Sequence, residues 1–508
     1  MSSSRRRALV CAAYLGTFLA SLDISIVNVA LPTLQVALHT DMAGLQWVIN
    51  AYAIAISAFM LSAGPLGDRY GHKPIWLASV AFFTAGSALC AVAGQLDTLL
   101  AGRAIQGVAG ALLIPSAMPI LTQAFPDARE RARVIGGWSA FSALALVLGP
   151  ISGGLLIEHL GWQSIFLVNL PLGAVALALG MFGIPGGTHG HRGVFDPAGQ
   201  CLSVVWLGAM TYGLIRMGEP DAAPEALAPI FGVAFAALAL FVWVERRVAR
   251  PLLPVSMLRE ARMRLANVAS FTLGFSGYAS LFFLSLFLQQ AQGHPPAQAG
   301  WQLMPQFLTM GVTSLLFGRI AHRAALGTLI VAGYAAIGLT LCAMTAFTAG
   351  TPYWVVGAAF AGLGLGMGLA VPGTGMMVMN LAPAAQTGMA SATMNALRQT
   401  GMTMGIALLG SVMNLRAAQD LTATARTHGV THAPAFAHTA ISGHMLDPAL
   451  TWLPDAYRHA RAQGFALATL GGGLACTVIA ALLYRQHARY ARDARPSAAT
   501  QTTGSAGK

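Results

Sequence analysis

The sequence predicts an all-α polytopic membrane protein, and two observations carry that prediction. Of the 508 residues, 56% are hydrophobic and only 9% are charged, whereas soluble domains carry roughly 25% charged residues. The chain also contains repeated apolar stretches that reach the roughly 20 residues a helix needs to cross a bilayer. This composition excludes an ordinary soluble enzyme.

Fourteen apolar segments can be drawn along the chain, and we predict that each forms a transmembrane helix. They cover 8–31, 45–66, 74–93, 98–121, 133–157, 165–184, 199–217, 226–244, 267–289, 300–317, 327–347, 353–379, 391–413 and 465–484. The first six predict an N-terminal six-helix bundle over 1–185. The last six predict a C-terminal bundle over 265–508, with an outer loop at 414–463 and a cytoplasmic tail. Residues 186–264 supply cytoplasmic linkers and two inserted transmembrane helices.

The distribution of basic residues predicts the orientation. An even number of spans places both termini on one side, and that side collects 22 of the 29 Lys and Arg residues against 5 on the other. Because cytoplasmic loops retain Lys and Arg, we expect a multi-pass protein with both termini in the cytoplasm. The arginines at 5–7 also suit a signal peptide, but Asp23 and Asn28 lie where cleavage would occur.

Motifs of other function classes are missing from the sequence. The net charge of +12 is explained by the short basic loops, so no nucleic-acid partner is predicted. Lys73 and Lys508 follow no phosphate-binding loop, and the glycine-rich run at 362–368 lacks the strand of a dinucleotide site. The five cysteines stand singly, and the histidines of 414–463 lack partners at metal-ligand spacing. We predict no metal, no organic cofactor and no enzymatic activity.

Two ionisable residues lie well inside predicted spans, where charge is costly and usually functional. Asp23 lies in the first span and Arg103 in the fourth. Burial disfavours the charged form of a carboxylate, so Asp23 is the predicted proton carrier, with a static ion pair as the alternative. A guanidinium cannot release its proton, so Arg103 is predicted to act through its field or its hydrogen bonds.

Flexible apolar residues and a few polar ones predict a substrate cavity. Methionines concentrate in two late spans, and aromatic residues recur at helical spacing in the ninth. Thioethers and rings can pack around varied hydrophobic or cationic ligands, although ordinary helix packing explains the same pattern and Arg398 could instead reach the membrane interface. The predicted cavity residues are Asn28, Phe271, Phe275, Tyr278, Asn395 and Arg398.

Several motifs resemble the major facilitator superfamily, in its fourteen-helix drug:proton antiporter branch of the QacA and EmrB type. GPLGDRYGHK at 64–73 is similar to the family's first loop motif, and its matching residues include Gly64, Asp68, Arg69, Gly71 and Lys73. LLAGRAIQGVAGA resembles the second motif and contains Arg103. The fifth span is similar to the antiporter motif through Gly136, Gly149, Pro150, Gly153 and Gly154. LDISIVNVALP at 22–32 places Asp23 in the branch's proton-linked position.

The resemblance implies a major facilitator fold, in which two six-helix bundles rock about a midplane cavity. Gly64 and Gly71 would permit tight turns, and ion pairs of Asp68, Arg69 and Lys73 would hold a state that is closed on the inside. The antiporter motif implies a kinked, closely packed helix and is associated with exporters.

The predicted function is therefore proton-coupled efflux, by alternating access, of hydrophobic or cationic small molecules across the cytoplasmic membrane. The implied partners are a small-molecule substrate, protons and the lipid bilayer, and a periplasmic adaptor protein is left open. A dedicated exporter of one metabolite or antibiotic shares every motif and remains the main alternative. A membrane sensor is the remote one.

Overall fold

The computed structural model describes residues 2–186, 196–219, 222–248, 252–253, 259–383, 386–442 and 450–493, which contain helices and no strands. Arg192, His444 and the tail beyond 493 lie outside these residues. The first half contains α1 (Ser3–Ala37), α2 (Met42–Phe59), α3 (Ala63–Tyr70), α4 (His72–Ala91), α5 (Leu96–Ala124), α6 (Ala128–Leu160), α7 (Ser164–Leu167) and α8 (Asn169–Gly183).

The remaining helices comprise the inserted pair and the second half. The inserted pair is α9 (Pro197–Arg216) and α10 (Pro224–Glu245). The second half contains α11 (Ala261–Thr272), α12 (Ser280–Leu286), α13 (Pro296–Gln302), α14 (Met304–Ala321), α15 (Leu326–Ala343), α16 (Tyr353–Leu381), α17 (Thr387–Thr427), α18 (Ala433–Ile441) and α19 (Leu453–Asp493). Two π-helical segments, Leu273–Tyr278 and Phe287–Ala291, flank α12.

Within the described residues, 12 helical stretches are long and apolar enough to cross a membrane. The protein is therefore a multi-pass membrane protein, and these stretches coincide with twelve of the fourteen predicted spans. The other two, 300–317 and 391–413, are helical in α14 and α17, but they carry too many polar residues to qualify by composition. The predicted count of fourteen is not confirmed.

Aspartates begin several of the helices. Asp41 accepts a hydrogen bond from the Gly44 amide at the start of α2, at 2.9 Å. Asp127 and Asp196 cap α6 and α9 in the same way, through the amides three residues on. Each carboxylate satisfies one of the unpaired N–H groups of a helix start and is favoured there by the helix dipole. The starting points of these helices are thus encoded by the local sequence.

The stretch 414–463, predicted as an outer loop, is mostly helical. It contains the end of α17, all of α18 and the start of α19. These helices enclose a small hydrophobic cluster of their own, which includes Leu421, Ile441 and Leu453. Buried Arg461 of α19 donates a hydrogen bond to the Ile441 carbonyl of α18 at 2.6 Å and so joins these two helices. The polar composition that suggested a solvated loop belongs to the outer faces of these helices.

The two ends of the helix bundle can be told apart by contacts near the loop motif. The end that carries 64–73 also carries the starts of α1 and α6, where Arg6 pairs with Glu130 at 3.2 Å. Lys73 donates at the same end to the Ile184 carbonyl at 2.6 Å. We name this end the motif side and the other end the opposite side.

The two halves meet tightly toward the opposite side. Gln46 of α2 donates to the Ile406 carbonyl of α17 at 2.9 Å, and Gln290 donates to Gln35 of α1 at 2.8 Å. A Cβ at Gly300 would lie only 2.1 Å from the Pro150 carbonyl oxygen, so α13 and α6 touch through their backbones. This end is closed in the structure.

The inserted helix α9 packs on both halves. Gln200 donates to the Ala58 carbonyl of α2 at 3.0 Å, and Ser411 of α17 donates to the Leu214 carbonyl of α9 at 2.8 Å. Leu207 completes the contact by packing with Ile54. The inserted pair therefore lies against the seam between the halves, with α10 packed on the far side of α9.

We expect Gly300→Ala to destabilise this closed end, because the added methyl group would overlap the Pro150 carbonyl. Overpacking of this kind costs about 1–3 kcal/mol, so the midpoint of thermal unfolding in detergent should fall. Gly311→Ala is the matched control, since a Cβ there has open space and alanine favours the helix. Equal unfolding midpoints for the two variants would contradict the close contact.

Candidate functional site

Asp23 and Arg103 form an ion pair in the interior of the first half. Both side chains are almost fully buried, at 0% and 1% exposure. The Arg103 guanidinium donates to Asp23 Oδ2, and its Nε donates to the Val48 carbonyl at 3.2 Å. The structure thus joins the two residues that the sequence singled out, and it links α1, α2 and α5 at one point.

Gln106 and two neighbours complete the pair. Gln106 accepts from Arg103 at 2.9 Å and donates to Asp23 Oδ1 at 3.0 Å. Its amide also donates to Ser87 at 2.7 Å. The Tyr52 ring lies 4.3 Å from the guanidinium carbon of Arg103, in a cation–π contact. Both charges are therefore paired and hydrogen-bonded, which is the condition under which a buried ion pair is tolerated.

This arrangement can store or release a proton at one place only. A guanidinium keeps its proton under all ordinary conditions, so the carboxyl of Asp23 is the group that can change charge. In this conformation Asp23 is sealed from solvent, while Arg103 lines a small internal cavity. A proton-carrying role for Asp23 thus requires another conformation in which water reaches the carboxyl.

A larger cavity of about 540 Å³ lies between the two halves and is displaced toward the motif side. Its walls come from the middle of α1, the last part of α5, the first half of α6 and the start of α17, together with Met60 and Tyr278. It shares Ile24, Leu146, Tyr278 and Met402 with the small cavity beside Arg103. The ion pair therefore lies one layer behind the wall of a cavity that both halves build.

The predicted cavity residues divide into three groups. Tyr278, Asn395 and Arg398 line the large cavity, and Asn28 lines the small one together with Tyr278. Phe271 and Phe275 line neither of these two cavities, and a substrate-contacting role for them stays a prediction.

The two phenylalanines pack against each other and against α17. Their rings stack with centroids 6.2 Å apart. Their carbonyls contact the α17 glycines, with the Phe271 oxygen 2.0 Å from a Cβ built at Gly401. Helical spacing identified the aromatic stripe, and the structure shows that its first two members contact a neighbouring helix.

The loop motif is open in this conformation. Gly71 has φ +91° and ends α3, as predicted for a turn, whereas Gly64 lies within α3 and makes no turn. Asp68 is exposed and its ion-pair partner is His72, at 3.7 Å. No ion pair with Arg69 or Lys73 occurs among the described residues. Since those pairs were expected for a state closed on the motif side, their absence matches a cavity displaced toward that side.

The antiporter-like motif of α6 makes close contacts, with one exception. A Cβ at Gly149 would lie 1.9 Å from Ser25 Oγ, and one at Gly153 would lie 2.7 Å from Ile26 of α1. Gly136 has open space around it in this conformation.

The next residue, Gly137, makes a close contact with α1. A Cβ at Gly137 would lie 2.3 Å from the Tyr14 hydroxyl. At the other end of the motif, Gly154 and Pro150 face the second half. A Cβ at Gly154 would lie 2.5 Å from the Pro296 carbonyl. The motif therefore seats α6 against both α1 and α13.

Sequence reasoning missed the polar contacts that join the two halves. Gln46, Ser285 and Gln289 each donate to a backbone carbonyl of the other half, at 2.9, 2.7 and 3.1 Å. A signal existed, because the adjacent glutamines at 289 and 290 end an otherwise apolar span. Their carbonyl partners carry no sequence signature.

The sequence model of the Major Facilitator Superfamily matches residues 13–406. The chain is 34% identical over 399 residues to the methylenomycin A resistance protein of Streptomyces coelicolor, which covers 78% of this chain and 84% of that protein. It is 34% identical over 417 residues to the multidrug resistance protein Stp of Mycobacterium tuberculosis, which covers 82% of this chain and 76% of that protein.

A solved structure resembles the fold. A bacterial homologue of the human lysosomal transporter Spinster, in an inward-facing and unoccupied conformation, superimposes with a TM-score of 0.63. The match covers 96% of this chain and 99% of that protein at 15% sequence identity. At that identity the likeness concerns the fold alone.

The buried pair predicts an asymmetry between its two charge-removing variants. Asp23→Asn leaves the buried guanidinium of Arg103 unpaired, and that group cannot lose its proton. Arg103→Gln leaves the buried carboxylate of Asp23 unpaired, but that group can become neutral by binding a proton. We expect the first to cost about 3–5 kcal/mol and the second less, as measured by the midpoint of thermal unfolding in detergent. The double variant should unfold at a higher temperature than Asp23→Asn alone. A double variant that is less stable than both single variants would refute the pairing.

Proposed function

The chain belongs to the Major Facilitator Superfamily, a family of transporters and not of enzymes, and from that premise we propose that it exports drug-like small molecules in exchange for protons. The observation that carries the proposal is the ionisable pair of Asp23 and Arg103 lying one layer behind a cavity that both halves line. Relatives named for drug and antibiotic resistance support export.

Coupling would follow from the chemistry of the pair. Protonation of Asp23 would remove the charge that holds Arg103, loosening the junction of α1, α2 and α5 and favouring a different packing of the first half. Substrate bound in the cavity would favour the other state. Two ligands that each bias one conformational equilibrium are thermodynamically coupled.

This conformation would be one of the two end states of such a transport cycle. The halves are closed on the opposite side, and the cavity lies toward the motif side. If the motif side is cytoplasmic, as the basic loops predict, this is the state that loads substrate from the cell interior. The reverse state would close the loop motif by engaging Asp68 and would open the contacts of Gln290 and Gly300.

We further propose that the chain has fourteen spans and belongs to the QacA and EmrB branch. The two helices that fail on composition, α14 and α17, are long enough to span, and each packs in the second half against α16 or α19. Their polar side chains include Gln306, Asn395 and Gln399, which face internal cavities. Polarity that faces a cavity is compatible with a membrane helix.

A dedicated exporter of one compound is the second candidate. The methylenomycin A relative is named for a single antibiotic, while the Mycobacterium relative is named for many drugs. Resistance profiles against many unrelated compounds in an efflux-deficient host would separate the two, because a dedicated exporter would protect against one chemical type.

Removing both charges of the pair should uncouple transport from protons. We expect Asp23→Asn with Arg103→Gln in proteoliposomes to abolish uphill efflux driven by a pH gradient while substrate exchange across the membrane continues. Exchange needs no net proton movement, so its survival shows that the protein is folded and binds substrate. A pH-sensitive dye and a transported compound from the resistance screen provide the two measurements.

The control for this variant is Asp97→Asn, which removes an exposed carboxylate at the start of α5. It should leave both uphill efflux and exchange unchanged. Undiminished uphill efflux by the double variant would exclude Asp23 as the coupling group.

Locking the opposite side should stop the cycle. The five native cysteines are first replaced. Cysteines introduced by Gln35→Cys and Gln290→Cys can then be joined by a short bis-methanethiosulfonate crosslinker, which forms reducible disulfide bonds, because the native side chains are hydrogen-bonded at 2.8 Å. We expect the crosslinked protein to lose transport and to recover it on reduction. Gln35→Cys alone, treated identically, should transport throughout. Full transport by completely crosslinked protein would refute opening at this end.

A further inference from the structure

The large cavity has an unusual charge balance for a site that was expected to accept cations. Arg398 is the charged side chain in its lining, and neither Asp nor Glu contributes to that lining. The carboxylate of Asp23 is buried behind the cavity wall and is already paired with Arg103. A cation entering this cavity would meet a like charge with nothing to balance it.

Arg398 is only partly satisfied by the protein. Its guanidinium donates to Asn395 Oδ1 at 2.5 Å and lies 5.3 Å from the Tyr278 ring centroid. It has no ion-pair partner among the described residues, unlike Arg103 with Asp23 or Arg6 with Glu130. A guanidinium carries five N–H donors in a planar fork, so most of them remain for a ligand.

The surrounding backbone holds Arg398 in place. A Cβ at Gly274 would lie 1.8 Å from the Arg398 carbonyl oxygen, so the backbone around Gly274 packs directly against α17 at this residue. Gly274 belongs to the π-helical segment Leu273–Tyr278, which ends at the tyrosine under the guanidinium. π-helical turns often occur at functional sites because they redirect a side chain. Arg398 is therefore a positioned cation and not a side chain reaching for the membrane interface.

We propose that the cavity binds amphipathic anions, namely small molecules with a carboxylate on an apolar body. Arg398 would bind the carboxylate through paired N–H donors, the geometry in which guanidinium recognises carboxylates best. Trp138 and Met402, which line the same cavity, would pack against the apolar body. This inference rests on the proposed export function, since it names the substrate class of the same cavity.

An anionic substrate changes the driving force. Exchange of a monovalent cation for one proton moves no net charge, whereas export of a monovalent anion for one proton moves two positive charges inward. Transport of the carboxylate class should therefore accelerate under a membrane potential that is negative on the cytoplasmic side. Transport of a cation by the same exchange would not.

The binding test uses the full chain in nanodiscs of zwitterionic lipid and three matched probes. These are 4-phenylbenzoate, its carboxamide and the corresponding aryltrimethylammonium, measured by equilibrium dialysis. We expect the carboxylate to bind most tightly. Arg398→Gln should weaken its binding about 10- to 100-fold, the range of a hydrogen bond to a charged group, with little effect on the carboxamide. Arg398→Lys should retain part of the preference.

Arg247→Gln is the matched control, because Arg247 makes a similar cation–π contact, 4.1 Å from the Trp243 ring, away from the cavity. It should bind all three probes as the unaltered protein does. Tighter binding of the ammonium probe, equal binding of the carboxylate after Arg398→Gln, or no binding of any probe would overturn the proposal.

Transport assays keep this inference separate from the proposed function. Proton-coupled efflux of the ammonium probe, independent of membrane potential, would refute anion selectivity and leave export intact. Arg398-dependent binding of the carboxylate without any proton-coupled movement of it would establish the anion site and refute export as its purpose.

Discussion

The structure of the first half depends on one buried contact, the ion pair of Asp23 and Arg103. Moving two charges out of water costs several kcal/mol for each ion, and only their mutual attraction together with further hydrogen bonds offsets that cost. Gln106, the Val48 carbonyl and the Tyr52 ring provide those additional contacts. As a result, one buried ion pair joins α1, α2 and α5 in this conformation.

Small residues and polar bridges place this junction within reach of the second half. The glycines of α6 bring it onto α1, and Pro150 and Gly154 bring the same helix onto α13. The amide side chains that cross between the halves bind to backbone carbonyls. Contacts of this kind can be exchanged for water at moderate cost, because each replaces one hydrogen bond by another. The halves are thus closely fitted through contacts of a kind that a rocking motion of the proposed type could break and re-form.

Sequence reasoning found the features that composition and local pattern encode. Long apolar runs identified twelve spans, because a lipid-facing helix must be apolar over its whole length. Asp23 and Arg103 stood out because charge inside such a run is costly. The turn at Gly71 was also predictable, since a positive φ favours glycine.

The remainder could not be read from the sequence because it depends on which helices are neighbours. Helical spacing placed Phe271, Phe275 and Tyr278 on one helix, but only the tertiary packing and the π-helical turn decide which of them reaches a cavity. The helices α14 and α17 fail a composition test, and several of their polar residues, including Gln306, Asn395 and Gln399, line cavities that only the tertiary packing creates. At 414–463, a few apolar contacts between three helices outweigh a polar average composition.

Charge also constrains how a proton and a substrate could be coupled here. If Asp23 takes up a proton, Arg103 keeps its charge beside the small cavity, and the positive potential that an anion experiences increases. Electrostatics alone would then help the proton and an anion to bind together, which is the opposite of exchange. For an anionic substrate, exchange must therefore arise from conformation, with the protonated junction and the occupied cavity favouring different facing states. Such a mechanism would depend on the contact between α1, α2 and α5, because a change of charge at that contact would alter helix packing.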